Sequence, residues 1–399
     1  MAQSSGKKEI VQGFSFAGLS CGIKESKNKD LGLIVSSIPA VTAGVFTTNR
    51  VKAAPVKISM EQIDAKKAQA IIINSGNANA CTGHQGMIDA KKIIRKTARE
   101  LSIAEDLVHM TSTGLIGKPL PVNLITAALP SLVSNLSPIN IDDVATAIMT
   151  TDRFKKVIVK RIRIAGKTGT VAGIAKGAGM ICPTMATMLS YLVTDIAVQP
   201  KALDSALRTA VNMSFNRLSV DNDMSTNDTV LAMANGMAAN RPLNRTSADY
   251  RKFERALTAL ATDLARLIAK DGEGATKIVD IHVRGAKTES DAEKVCRAVA
   301  NSMLVKTALY GEDPNWGRIL SAIGYSGADI DEDRVTIYLN GSRLYSKGKG
   351  IDKERVKSTL LSKEEITIRI DLGLGKKTAG FITSDLTEKY IQINAHYET

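Results

Sequence analysis

Aromatic residues are scarce in this 399-residue chain: seven Phe, eight Tyr and a single Trp make up 4% of it. Grooves that bind single-stranded nucleic acid stack bases on aromatic rings beside clustered cations. Here the 53 Lys and Arg outnumber the 40 Asp and Glu by a net +13, yet they are spread along the whole chain. The charge suits small carboxylate substrates or a merely solvated basic surface. A basic nucleic-acid-binding protein stays as the alternative that needs no catalytic residue, and steeply salt-dependent binding would mark it. Cysteine is also sparse. Cys21, Cys81, Cys182 and Cys296 lie far apart and form no CxxC. Neither a zinc site nor a redox pair of that type is expected, and four free, mostly buried thiols are. His84, His109, His282 and His396 make no HExxH or HxxxH pattern, so no metal is expected. No apolar run approaches the roughly 18 residues of a membrane span. The polar start, Met1 to Gln12, has no apolar signal region. The expectation is a soluble, cytoplasmic protein with no membrane partner.

What is present is globular: 44% hydrophobic and 23% charged residues. The length suggests two or three domains of roughly 100–200 residues. Helix and strand signals alternate, which predicts a mixed α/β protein. Ala68 to Asn74 (AQAIIIN) reads as a buried strand, and Met87 to Leu101 as a helix with a stripe at 87, 90, 94, 98 and 101. Phe253, Leu257, Leu260, Leu264, Leu267 and Ile268 form a clearer stripe that stops near Gly272. Ser290 and Glu293 read as a capping box before a helix through Val295 and Val299. Val335 to Leu339, Asn340-Gly341 and Arg343 to Tyr345 predict a hairpin with a type I′ turn. Ile366 to Leu372 alternates as a strand. The stretch Leu120 to Asp142, with Pro121, Pro130 and Pro138, and the polar stretch Ala239 to Ala248 read as connections.

Several ligand motifs almost match. Gly166-Lys167-Thr168 is close to a P-loop, but Arg161 stands where the first glycine belongs, and the stretch reads better as a turn between two strands. Gly177-Ala178-Gly179 has Cys182 where a dinucleotide fingerprint needs glycine. Asp221, Asp223, Ser225 and Asn227 have calcium-loop spacing, with Thr226 and Ala232 at the glycine and glutamate positions.

One segment holds more. Lys176 to Asp195 reads KGAGMICPTMATMLSYLVTD, a glycine-rich stretch that turns apolar at Ala186-Thr187-Met188. It can be a loop entering a buried element, with Thr187 as an N-cap. It can also carry a nucleophile. A threonine hydroxyl is weak without a base, and an N-terminal threonine has that base in its own α-amino group, whose pKa of about 8 leaves a neutral fraction at pH 7. Thr187 would be exposed by attack of its hydroxyl on the Ala186 carbonyl, an N-to-O acyl shift, followed by hydrolysis.

KGAGMICPTMATML resembles the self-cleavage motif of the ornithine acetyltransferases, the ArgJ family. AGVFTTNRVKAAP from Ala43, NSGNANA from Asn74, STGLIG from Ser112, MTTD from Met149, SFNRLSVDNDMSTNDT from Ser214, GEGATK from Gly272 and VKTALYGEDPNWGR from Val305 resemble further signatures of that family. These blocks stand in family order over nearly the whole chain. Cys182, Thr184, Asn222 and Glu398 depart from the commonest forms without removing a catalytic group.

The resemblance implies an α/β fold, a layered α/β sandwich of the DmpA/ArgJ-like type, cleaved between Ala186 and Thr187. It implies an alpha chain, 1–186, and a beta chain, 187–399, that stay associated. Acetyl would pass from N2-acetyl-L-ornithine to Thr187 and then to L-glutamate by a ping-pong route, without metal or cofactor. Acetyl-CoA is a further donor in some members, and no motif here decides that. Thr113 (side chain) and Gly114 (backbone N–H) would form the oxyanion hole. Thr150, Lys176, Thr187, Glu273, Asn394 and Thr399 would bind substrate, and two or four cleaved protomers would assemble. The nearest enzymatic alternative is an N-terminal-nucleophile aminopeptidase of related fold, which hands its acyl group to water.

Overall fold

The computed structural model describes residues 10–164, 166–182, 188–350 and 363–396. Two sheets organise them. The first contains β1 (Phe14–Leu19), β2 (Leu31–Phe46), β3 (Lys67–Asn77), β4 (Val108–Leu115), β5 (Lys156–Ile164), β6 (Lys167–Lys176), β7 (Leu189–Thr194) and β8 (Thr229–Ala234). Its order is β4-β3-β2-β8-β7-β6-β5, with β1 paired to β2. The β3–β4 and β7–β8 pairs are parallel. The second sheet, in the order β12-β11-β10-β13-β9-β14, is built from β9 (Ile278–Ala286), β10 (Thr336–Leu339), β11 (Ser342–Ser346), β12 (Lys349–Gly350), β13 (Glu365–Asp371) and β14 (Lys377–Ser384).

Alternation along the strands assigns the cores. On β3, Ala70 and Ile72 pack with Ile93 and Ile94 of α2 (Gly83–Leu101) and with Ile125 and Leu129 of α3 (Val122–Ser134). Ile71 and Ile73 join a different core with Val144 of α4 (Ile141–Ala147). On β6, Val171 and Ala175 pack with Leu203 and Leu207 of α5 (Pro200–Met213) and with Leu260 and Leu264 of α6 (Tyr250–Lys270). In the second sheet, Ile281 and Ile368 pack on Val295 and Val299 of α7 (Glu289–Asn301). The two layers are sewn together by a short bridge between Leu218 and Ile382 and by Arg217 pairing with Glu289 and Glu293.

Most sequence-based elements are found, and three expectations are corrected. Leu120 to Asp142 is mainly α3 rather than a connection. Burial of Val122, Ile125, Leu129 and Leu132, at roughly 1.5–3 kcal/mol per large side chain, outweighs the ~3 kcal/mol cost of the interior Pro130. The cap of α7 is Thr288, not Ser290: its hydroxyl accepts the Asp291 N–H at 3.0 Å and donates to the Asp291 carboxylate at 2.6 Å. Among the thiols, Cys182 and Cys296 are buried but Cys81 is exposed. The hairpin turn has Asn340 and Gly341 at φ of 46° and 86°, the two positive values a type I′ turn requires. Trp316 serves packing, stacked 5.2 Å from Tyr345.

Candidate active site

The ends of five strands meet at one edge of the first sheet. β3, β4 and β6 finish there, while β7 and β8 begin there. Parallel β3 and β4 both direct their C-terminal ends to this edge, where loops of open α/β sheets usually hold ligands. A cavity of about 300 Å³ opens at it.

Thr113 and Gly114 form one wall at the end of β4. Gly114 has φ +131°, and a Cβ there would stand 2.3 Å from the carbonyl carbon of Gly76. Only glycine fits, because β3 runs directly behind the turn. NSGNANA forms that backing. Asn74 accepts the Ser112 hydroxyl at 2.6 Å and donates to Asn77 O at 2.8 Å.

The opposite wall carries charge. Lys176, at the end of β6, is buried, and its ammonium donates to the Thr150 hydroxyl at 3.3 Å. Burial pulls this ammonium below the usual lysine range, and Asp152 and Asp228 oppose the shift. Thr151 also lines the cavity, but the Lys176 contact goes to Thr150. Glu273 accepts the Asn394 amide at 2.8 Å, and its own backbone N–H donates to Ala178 O at 2.9 Å. Its carboxylate lies over Gly179, where a Cβ would come within 2.3 Å of Oε2. The sequence-predicted Thr113, Gly114, Thr150, Lys176, Glu273 and Asn394 therefore share one cavity. Ala186, Thr187 and Thr399 lie outside the described residues.

Several supporting residues escaped the sequence reading. The Lys156 ammonium sits 2.6 Å from Asp152 and 2.5 Å from Asp271, with all three side chains fully buried. Asp152 also accepts the N–H groups of Thr150 at 2.9 Å and Gly177 at 2.7 Å. Burial pushes its carboxyl up, but Lys156 and Lys176 outweigh burial and hold it below the usual range. Asp271 precedes Gly272-Glu273, so one buried lysine ties together the segments bearing Thr150, Lys176 and Glu273.

Asp221 accepts the Met180 and Ile181 N–H groups at 2.6 and 2.7 Å and the Tyr390 hydroxyl at 3.3 Å. Burial raises its carboxyl to about 6. Asp228 accepts the Met188 N–H at 2.9 Å, and burial raises its carboxyl well above the usual range. Asp152, Asp221 and Asp228 all fall inside the quoted motif blocks, and Asp221 was otherwise marked only by the failed calcium-loop spacing. Among the described residues no cluster of His, Cys, Asp and Glu suits a metal ion, and no helix is long and apolar enough to cross a membrane.

The arrangement offers hydrogen-bond donors on one wall and a cation and a carboxylate on the other. That suits acyl chemistry on a small zwitterion. Comparison with known proteins agrees. Residues 15–399 match the ArgJ family. The arginine biosynthesis bifunctional protein ArgJ of Geobacter sulfurreducens is 48% identical over 391 residues, spanning 98% of this chain and 100% of that protein. Its counterpart in Syntrophotalea carbinolica is 48% identical over 393 residues, 98% of this chain and 99% of that protein. A crystal structure of ArgJ from Bacillus halodurans, 39% identical, covers 53% of this chain and 100% of that chain, with a TM-score of 0.52.

Proposed function

The chain belongs to the ArgJ family, and from that membership and the cavity we propose that it transfers acetyl from N2-acetyl-L-ornithine to L-glutamate through an acetyl-Thr187 intermediate. The carrying observation is the meeting of Thr113, Gly114, Thr150, Lys176, Glu273 and Asn394 around one cavity. In this reading the Thr187 hydroxyl attacks the Ala186 carbonyl, the acyl group moves from nitrogen to oxygen, and water releases it. The chain becomes 1–186 and 187–399.

Strand pairing supports lasting association of the two fragments. β7 and β8 from the second are hydrogen-bonded to β6 and β2 from the first. The half-length Bacillus halodurans chain has the size expected of residues 187–399. The freed α-amine of Thr187 then serves as base for its own hydroxyl.

The hydroxyl attacks the acetyl carbonyl of acetylornithine. Thr113 Oγ1–H and the Gly114 N–H receive the developing oxyanion, at roughly 3–4 kcal/mol per donor. Lys176 faces the substrate carboxylate and Glu273 the side-chain ammonium. Ornithine leaves, glutamate enters, and its amine takes the acetyl group. Thr399 joins these residues as a substrate-binding position in the same reading. Acetyl-CoA as a second donor, an assembly of two or four cleaved protomers and a cytoplasmic location complete the reading.

The test incubates purified protein with N2-acetyl-L-ornithine and isotopically labelled glutamate. Labelled N-acetylglutamate should appear with equimolar ornithine, and Thr187→Ala should abolish it. Release of free acetate without glutamate labelling would instead support the hydrolytic aminopeptidase-like alternative.

A further inference from the structure

One buried asparagine braces the Thr113–Gly114 wall of this site. Asn227 lies just before β8, and its side-chain amide donates to Ala78 O at 2.7 Å and to Ser112 O at 2.8 Å. Its Oδ1 accepts the Thr226 hydroxyl at 2.5 Å, and its backbone N–H donates to Ser225 Oγ at 3.0 Å. Both side-chain donors are therefore used on protein carbonyls. A primary amide is suited to this, since it presents two donors in one fixed plane.

The carbonyls are informative. Ser112 O belongs to the peptide that leads into Thr113, so holding it fixes the plane of that peptide unit. Ala78 O belongs to the NSGNANA turn, in which Gly76 pairs with Gly114. One side chain thus pins the ends of β3 and β4 together, beside the Thr113–Gly114 turn in the lining of the same cavity. The next residue continues the link: Asp228 Oδ1 accepts the Met188 N–H, and Thr229 pairs with Leu189 at the start of β7.

We propose that Asn227 is a positioning residue for acetyl transfer, clamping the Ser112 and Ala78 carbonyls so that the Thr113–Gly114 donors stay fixed against the start of β7. The proposal rests on the reading above, in which those donors hold the oxyanion and Thr187 carries the acetyl group. Oxyanion donors accelerate reactions because they are preorganised, and a misplacement of about 1 Å can cost ~100-fold. Thr150 and Lys176 are steadied separately, through Asp152 and Lys156. Loss of the clamp should therefore lower turnover and leave ground-state binding in place.

The experiment compares the parent with Asn227→Ala and Asn227→Asp. Aspartate keeps the side-chain shape and removes both donors. Cleavage rate is read by intact mass, and kcat and KM are measured on the cleaved fraction with N2-acetyl-L-ornithine and glutamate. Circular dichroism melts report folding. The expected result is kcat lower by about 100-fold, KM little changed and a near-parental melt in at least one variant. Thr113→Ala should cost less in the Asn227→Ala background than in the parent, because both changes act on one oxyanion turn. An active parent with parental kcat in the folded variants overturns the proposal alone, as does a raised KM with normal kcat. If both variants fail to fold, Asn227 is structural and the proposal falls. A cleaved parent without acetyl transfer would overturn both this proposal and the reading beneath it.

Discussion

Replacing Lys156 with methionine should damage both stability and substrate binding. Methionine keeps most of the volume and removes the ammonium that sits 2.6 Å from Asp152 and 2.5 Å from Asp271. Asp152 would retain the N–H groups of Thr150 and Gly177, and Asp271 would retain Arg153, whose side chain is 55% exposed. Two buried carboxylates would thus lose their shared counter-charge, a loss of about 3–5 kcal/mol by analogy with broken buried ion pairs.

The pH dependence has a definite sign. Asp152 is held below the usual carboxylate range in the folded protein. Its contribution is therefore complete above the unfolded pKa of about 3.9 and is lost as pH falls through the lower folded value. The deficit of Lys156→Met should be full at pH 7 and shrink below about pH 4. Urea unfolding at pH 7 and at about pH 3 measures it. A deficit under 1 kcal/mol at pH 7, or one that grows on acidification, would refute the electrostatic account. In the cleaved enzyme the same change should raise the KM for acetylornithine, because Asp152 steadies Thr150 and the Lys176–Gly177 segment.

Other outcomes follow from single residues. Asp221 titrates near 6 in the folded protein, so the folded state holds a proton that the unfolded chain has released between about pH 4 and 6. Stability should fall by up to about 3 kcal/mol as pH rises across that window, and Asp221→Asn should flatten the curve in a pH series of melts. Gly114→Ala combines φ +131° with a Cβ 2.3 Å from Gly76 C; acetyl transfer should drop at least about 100-fold, and a near-parental kcat would contradict the proposed oxyanion wall. Gly179→Ala pushes a methyl into the Glu273 carboxylate. Steady-state kinetics should then show the KM for acetylornithine raised about tenfold, some 1.4 kcal/mol, with kcat nearly unchanged.

Legibility in the sequence tracked the range of the interaction. The stripe of α6, the apolar run of β3 and the Asn340-Gly341 turn are local patterns, and each appears where its periodicity put it. Local ambiguity misled the reading twice. Prolines hid α3 although its buried stripe was present, and Ser290-x-x-Glu293 competed with Thr288-x-x-Asp291 two residues earlier. The site was legible only through motif blocks in family order, which named six residues that do converge. Their supports were not. Lys156 meets Asp271 across 115 residues, Asn227 reaches Ser112 across 115, and Tyr390 reaches Asp221 across 169. No spacing rule in a single sequence reports contacts of that separation, because sheet topology creates them.

The central claim is that the chain makes its own nucleophile, and intact mass under denaturing conditions tests it most directly. The parent should give two species corresponding to 1–186 and 187–399, and Thr187→Ala should give one full-length species. A parent that stays a single 42.6 kDa chain while transferring acetyl at full rate would contradict the N-terminal threonine mechanism.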